Sequence, residues 1–146
     1  LEQWARQGRS AAVALVALDQ GPQLCDTYGQ PVMDQLHCFV GNQWKKNFDT
    51  PTEQVVCRLT GSVFVVGSVD TTGPQLAARM QELYEQMPHE CITTTGMMHR
   101  VQFTMSGAAA GLDEVEAKNW PALYELCDAR LRKVQASGGD RIGCAE

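Results

Sequence analysis

The sequence predicts an α+β fold: a ferredoxin-like split βαβ sandwich with an antiparallel sheet, helices on one face and an extra C-terminal helix. Three observations carry that expectation. Apolar segments change period along the chain in the order strand, helix, strand, strand, helix, strand, helix. The composition, 44% hydrophobic and 20% charged over 146 residues, suits a single domain covering 1–146 with a sizeable core. Six cysteines spread along the chain add an expected set of disulfide staples.

Each element has its own signal. Ser10 to Leu18 (SAAVALVAL) is almost continuously apolar, as a buried strand is, and Asp19-Gln-Gly-Pro22 breaks it. From Pro31, the residues Met33, Leu36, Val40 and Trp44 recur at helical spacing, which predicts a helix ending near Asn47. Gln54 to Val69 is rich in Val, Phe and Thr. It reads as a hairpin turning at Thr60-Gly61-Ser62, because sixteen residues is long for one strand. Thr72 and Gln75 have capping-box spacing and Pro74 suits a first turn. Leu76, Met80, Leu83, Tyr84 and Met87 then form an apolar stripe, with Arg79, Glu82 and Gln86 off it, until Pro88. Arg100 to Ser106 alternates like a half-buried strand, and Ala108 to Gly111 reads as a small-residue loop. A last helix carries Trp120, Leu123, Tyr124, Cys127, Leu131 and Val134 and closes at Gly138-Gly139.

Charge limits the partners. The net charge of −5, from 12 Lys and Arg against 17 Asp and Glu, repels nucleic-acid backbone, and no basic run offsets it. An RNA-binding plait, for which Phe64 and Phe103 could supply rings, is set aside on that ground. The longest apolar run, Ala11 to Leu18, has eight residues, well short of the ~20 of a membrane-spanning helix. The chain opens at Leu1 rather than Met, which fits removal of a leader.

The cysteines Cys25, Cys38, Cys57, Cys91, Cys127 and Cys144 are even in number and contain no C-x-x-C pair. Zinc and thioredoxin-like sites need such close pairs, so up to three disulfides in an oxidising compartment are expected, with fifteen pairings open. The segment from Cys57 to Met80 combines strand, glycine turn and helix start. Gly67 and Gly73 fit neither a dinucleotide fingerprint nor a P-loop, and no Lys follows, so it reads as a corner of the fold. His37, His89 and His99 read as surface histidines, and a metal set of His89, Cys91 and His99 lacks ligand spacing. Glu82, Glu85, Glu90, Asp113, Glu114 and Glu116 read as solvated. No catalytic residue, metal or cofactor is expected from these patterns.

One family resembles this order of features. Cys57, the Val66-Gly67 and Asp70 of "VGSVDT", and Gly96 and Met98 of "TTTGMM" are similar to the strand and helix-start motifs of fungal necrosis-inducing extracellular effectors. Asp34 to Cys38 is similar to that family's Asp-Cys helix start, so the resemblance spans about residues 34 to 100. It implies a small secreted effector or killer-toxin-like protein, extracellular and non-enzymatic, that binds a host or competitor target. The alternative is a dimeric α+β-barrel-type binder of small ligands, or an enzyme built that way.

Overall fold

The computed structural model describes residues 10–48, 54–93, 98–117 and 119–143. Its elements are β1 (Ala11–Leu18), α1 (Gly21–Tyr28), α2 (Gln30–Lys45), β2 (Gln54–Thr60), β3 (Val63–Val69), α3 (Gly73–Gln86), β4 (Glu90–Thr93), β5 (His99–Gln102), β6 (Met105–Gly111), α4 (Trp120–Ala136) and β7 (Arg141–Gly143). Five strands form one sheet in the order β2-β3-β1-β6-β7, while β4 and β5 form a separate two-stranded ribbon. β1 lies between two antiparallel partners, with Leu15 opposite Val65 on one side and Ala108 on the other. β7 joins β6 in parallel. The fold is therefore α+β, built on a central sheet.

The pleat of β1 divides the core. Ala12, Ala14, Val16 and Leu18 face a cluster that includes Val40 and Trp44 of α2 and Leu76, Met80 and Leu83 of α3. Ala11, Val13, Leu15 and Ala17 face the other way, against Leu123, Cys127 and Leu131 of α4. Two helices thus share one face and the C-terminal helix covers the second. The expectation of helices on one face holds for α2 and α3 alone; the unbroken apolar run of β1 required cover on both sides.

The helix signals were largely accurate. Thr72 Oγ1 accepts from the Gln75 N–H at 3.2 Å, and Gln75 Oε1 accepts from the Thr72 N–H at 3.1 Å, closing the capping box of α3. Met80 and Leu83 are buried while Arg79 and Glu82 are exposed. Asn119 caps α4 by accepting from the Ala122 N–H at 3.0 Å.

Four expectations are corrected. Ala108 to Gly111 is not a loop but the C-terminal half of β6, buried throughout. Its alanines and glycines read as loop residues, but they are the small side chains a central strand needs where helices press on both faces. A Cβ added at Gly107 would stand 2.7 Å from Ile142 Cδ1 and 3.2 Å from the Leu15 carbonyl oxygen. The single strand expected over Arg100 to Ser106 divides between β5 and β6. The break at Asp19 to Pro22 leads straight into α1, with Gln20 in the left-handed conformation at φ 57°. The staples are also missing among the described residues. Cys25, Cys38, Cys57, Cys91 and Cys127 are free thiols, and Cys144 lies outside the described residues, as does Gly96. Cys127 serves as a core residue, donating to the Val13 carbonyl at 3.3 Å, and burial pushes its thiol up to about 12.

Truncation on α3 tests this packing. Leu83→Ala is expected to cost ~2–5 kcal/mol in a denaturant melt, as buried leucines do, and Glu82→Ala to stay within ~0.5 kcal/mol. Equal losses at the two positions would show that the helix face is misassigned.

Candidate functional site

The turn between β2 and β3 is where side chains of several elements converge. Gly61 supplies its left-handed residue at φ 52°, and the strand register shifts between Arg58 and Thr60. The turn is pinned to the end of β1, whose Leu18 N–H donates to the Ser62 carbonyl at 3.1 Å. The start of α1 presses on the same place: a Cβ at Gly21 would stand 3.2 Å from Ser62 Oγ. Beside the turn lies a cavity of about 340 Å³ whose lining includes Ala17, Gly21, Pro22, Cys25, Gln30, Met33 and Ser62. A second cavity, about 450 Å³, opens between α2 and β2 and is lined in part by Asp34, Cys38, Asn42, Lys45, Val56, Cys57 and Phe64. His37 and Arg58 line both.

These two residues form a polar array with the turn. Arg58 Nη1 donates to His37 Nδ1 at 2.8 Å, which fixes the other ring nitrogen as the N–H that donates to Ser62 Oγ, also at 2.8 Å. The imidazole is buried, at 7% exposure, while Arg58 reaches solvent. Burial first and the Arg58 charge second hold His37 below its ordinary 6.5, against an opposing pull from Asp34. Hydroxyl, imidazole and a third group in line suggest a nucleophilic triad, but the chemistry is reversed. A triad histidine takes the hydroxyl proton and is backed by a carboxylate. Here the imidazole gives its proton to Ser62, and a guanidinium stands behind it. The array is a cationic, hydrogen-bond-donating surface, suited to anions.

A larger cavity of about 520 Å³, lined by Asp19, His89, Glu90 and Thr104 among others, has its charged groups engaged within the fold. Asp19 accepts from Thr104 Oγ1 at 2.6 Å, from Ser106 Oγ at 2.5 Å and from the Asp140 N–H at 3.1 Å. Glu90 pairs with Arg100 at 2.9 Å, and His89 donates to the Tyr84 carbonyl at 2.7 Å. His89, Cys91 and His99 do not converge: Cys91 is in the core and His99 packs edge-on to Tyr28. Glu114 is not simply solvated, since it accepts from Arg130 at 2.7 Å and that hydrogen bond lowers its carboxyl pKa.

The fold is that of a known family. Residues 1–141 match the family described as diguanylate cyclase, GGDEF domain, and the chain is a member of it. No curated protein sequence matches the chain. The GGDEF domain of PA1120 (YfiN or TpbB) from Pseudomonas aeruginosa superposes with a TM-score of 0.83 at 16% identity, covering 99% of this chain and 88% of that one. The GGDEF domain of DgcB from Caulobacter crescentus, solved in complex with c-di-GMP, gives 0.80 at 17% identity over 97% of this chain and 81% of that one. The active GGEEF domain of a diguanylate cyclase from Vibrio cholerae gives 0.71 at 14% identity over 98% and 86%.

Membership overturns the functional expectations. The resemblance to necrosis-inducing effectors fails, because a bacterial signalling family matches nearly the whole chain. With it fall the fungal, effector and toxin-like reading and the binding of a host or competitor target. The extracellular location goes too, since GGDEF domains typically work inside cells, and the free thiols remove its main support. The expectation of a non-enzyme is likewise overturned, for the family is one of cyclases, some of them degenerate. Among the described residues, no helix is long and apolar enough to cross a membrane.

The family name spells Gly-Gly-Asp-Glu-Phe. At the hairpin turn this chain reads Thr60-Gly61-Ser62-Val63-Phe64, keeping one glycine and the phenylalanine but neither acid. That divergence is why the motif escaped the sequence reading, although the turn itself was located. Cyclase chemistry on nucleoside triphosphates implies a divalent cation, which takes oxygen ligands and usually one or two carboxylates. The residues beside this turn do not fit one. Ala17, Pro22, Cys25 and Ser62 bring no carboxylate, Arg58 brings a positive charge, and Asp19 is occupied elsewhere. Among the described residues no cluster of three metal-ligating side chains occurs.

The array has a pH signature. Because the native state resists protonating His37, its contribution to stability is complete above the unfolded value of 6.5 and is lost as pH falls from there through the lower native value. An NMR titration should find His37 below 6.5, and Arg58→Ala should move it upward. A His37 titrating above 6.5, or one indifferent to Arg58→Ala, would contradict the array.

Proposed function

We propose that this chain is a degenerate GGDEF domain that binds a guanine nucleotide beside the hairpin turn without a divalent metal. The carrying observation is the replacement of the two acidic letters by Ser62 and Val63, next to the Arg58–His37–Ser62 array. The Vibrio cholerae domain described as active has the letters GGEEF, with both acids present. Two carboxylates at such a turn suit a hard cation over phosphates. A guanidinium at the same place suits the phosphates directly, since its planar donors match phosphate oxygens. The guanine assignment rests on the family, and on the c-di-GMP held by the DgcB domain.

The arrangement of the core agrees with this reading. Strands β2-β3-β1-β6, with α2 and α3 on one face, support a ferredoxin-like split βαβ unit, to which α4 and β7 are additions.

Calorimetry with GTP tests the proposal. The dissociation constant is expected to agree within about twofold in magnesium and in EDTA, and Arg58→Ala should weaken binding about tenfold or more, the loss of one charge-assisted contact. Formation of cyclic dinucleotide at a rate comparable with the Vibrio cholerae domain, or binding that collapses in EDTA, would overturn it.

A further inference from the structure

We infer that the cavity between α2 and β2 is a second binding site, for a small organic acid whose single carboxylate is attached to an apolar body. It does not depend on a nucleotide being bound beside the hairpin turn.

Unmatched charge is the first observation. Arg100 meets Glu90 at 2.9 Å, Arg130 meets Glu114 at 2.7 Å and Arg132 meets Asp128 at 3.0 Å. Lys45 and Arg58 differ. Among the described residues neither has a carboxylate at salt-bridge distance, although acids outnumber bases by 17 to 12 in the chain. Both line this one cavity, of about 450 Å³. Arg58 donates Nη1 to the His37 imidazole, a neutral acceptor, and its side chain reaches solvent. Lys45 is exposed in the last turn of α2.

The lining also sets the charge of the ligand. Asp34 stands on the same wall and accepts from Gln30 Nε2 at 2.8 Å. With His37 neutral, two cations against one carboxylate leave a single net positive charge. A monoanion balances it, whereas a phosphate dianion is repelled by Asp34 and left partly unmatched.

The rest of the wall is apolar. Val56 and Phe64 form the floor; Phe64 belongs to the main core and Val56 packs on it. Gly41 adds no side chain to the space beside them, and a Cβ there would already stand 3.4 Å from Phe64 Cε1. Ring or chain carbons leave water on that floor, while the carboxylate stays at the exposed edge between Lys45 and Arg58. The volume lies within the ~300–1,000 Å³ of small-molecule pockets.

Titration of the whole chain with phenylbutyrate, and separately with octanoate, followed by amide chemical shifts, tests the site. At least one acid is expected to give saturable shifts centred on Gly41, Asn42 and Val56, and the tighter of the two tells whether the apolar body is a ring or a chain. The corresponding amides keep the body and lose the charge, so they should bind about tenfold more weakly, the loss of one charge-assisted contact. Lys45→Ala should weaken the acid by about the same factor, and Lys45→Arg should stay within about twofold of the parent. Iodoacetamide labelling of Cys38 should slow at saturation, while Cys25, in the other cavity, keeps its rate. Amides binding as tightly as acids, Lys45→Ala without effect, shifts centred on Cys25 and Met33, or no saturable shift with either acid would each overturn the inference. None of these outcomes alters the calorimetry with GTP, which stands or falls on its own.

Discussion

Burial of β1 on both faces is the constraint from which the rest of the structure follows. All eight residues from Ala11 to Leu18 are buried, so neither face can be left to solvent. Cover on one side comes from α2 and α3 and on the other from α4. Its backbone groups are met on both edges by β3 and β6, which are therefore central as well. Small residues on the two strands, with Ala12 opposite Gly111, Ala14 opposite Ala109 and Ala17 opposite Ser106, keep the layers close. The strand ends where the hairpin turn, α1 and the cavity beside them meet. The position of the site is thus a consequence of the core.

At that end of β1, Asp19 shows how a carboxylate near a site can belong wholly to the fold. Its oxygens accept from Thr104, Ser106 and the Asp140 backbone, joining the ends of β1 and β6 to the segment after α4. Tyr84 continues the network, donating to Asp140 and accepting from the Met105 N–H at 2.8 Å. Burial, reinforced by the Asp140 hydrogen bond, raises the Tyr84 phenol well above its ordinary range. Freeing Asp19 for a cation would leave two hydroxyls and a backbone donor without it.

The sequence was legible where a local rule fixed the outcome. The capping box at Thr72, the stripe of α3 and the hairpin turn at Thr60 to Ser62 depend on residues within a few positions of one another. It misled where tertiary context decided. The alanines and glycines of β6 resemble a loop until a buried strand must lie under a helix. The even count of cysteines resembles a disulfide set until each described thiol is placed by its own strand or helix. The site was less legible still. His37, Arg58 and Ser62 are separated in sequence and meet only through folding, and the acids that would have marked the turn are replaced.

The central feature of this molecule is an exchange of charge: where the family name writes two carboxylates, the turn bears a hydroxyl and a methyl-bearing side chain backed by a guanidinium. On the reading proposed above, anions are met by these donors rather than by a metal. Paramagnetic broadening by manganese, followed in an NMR spectrum of the nucleotide-free chain, tests this most directly. Resonances of Ser62, His37 and Gly21 should remain sharp at manganese concentrations that broaden those of a metal-holding turn. Saturable broadening centred on these residues, at one ion per chain, would contradict the account.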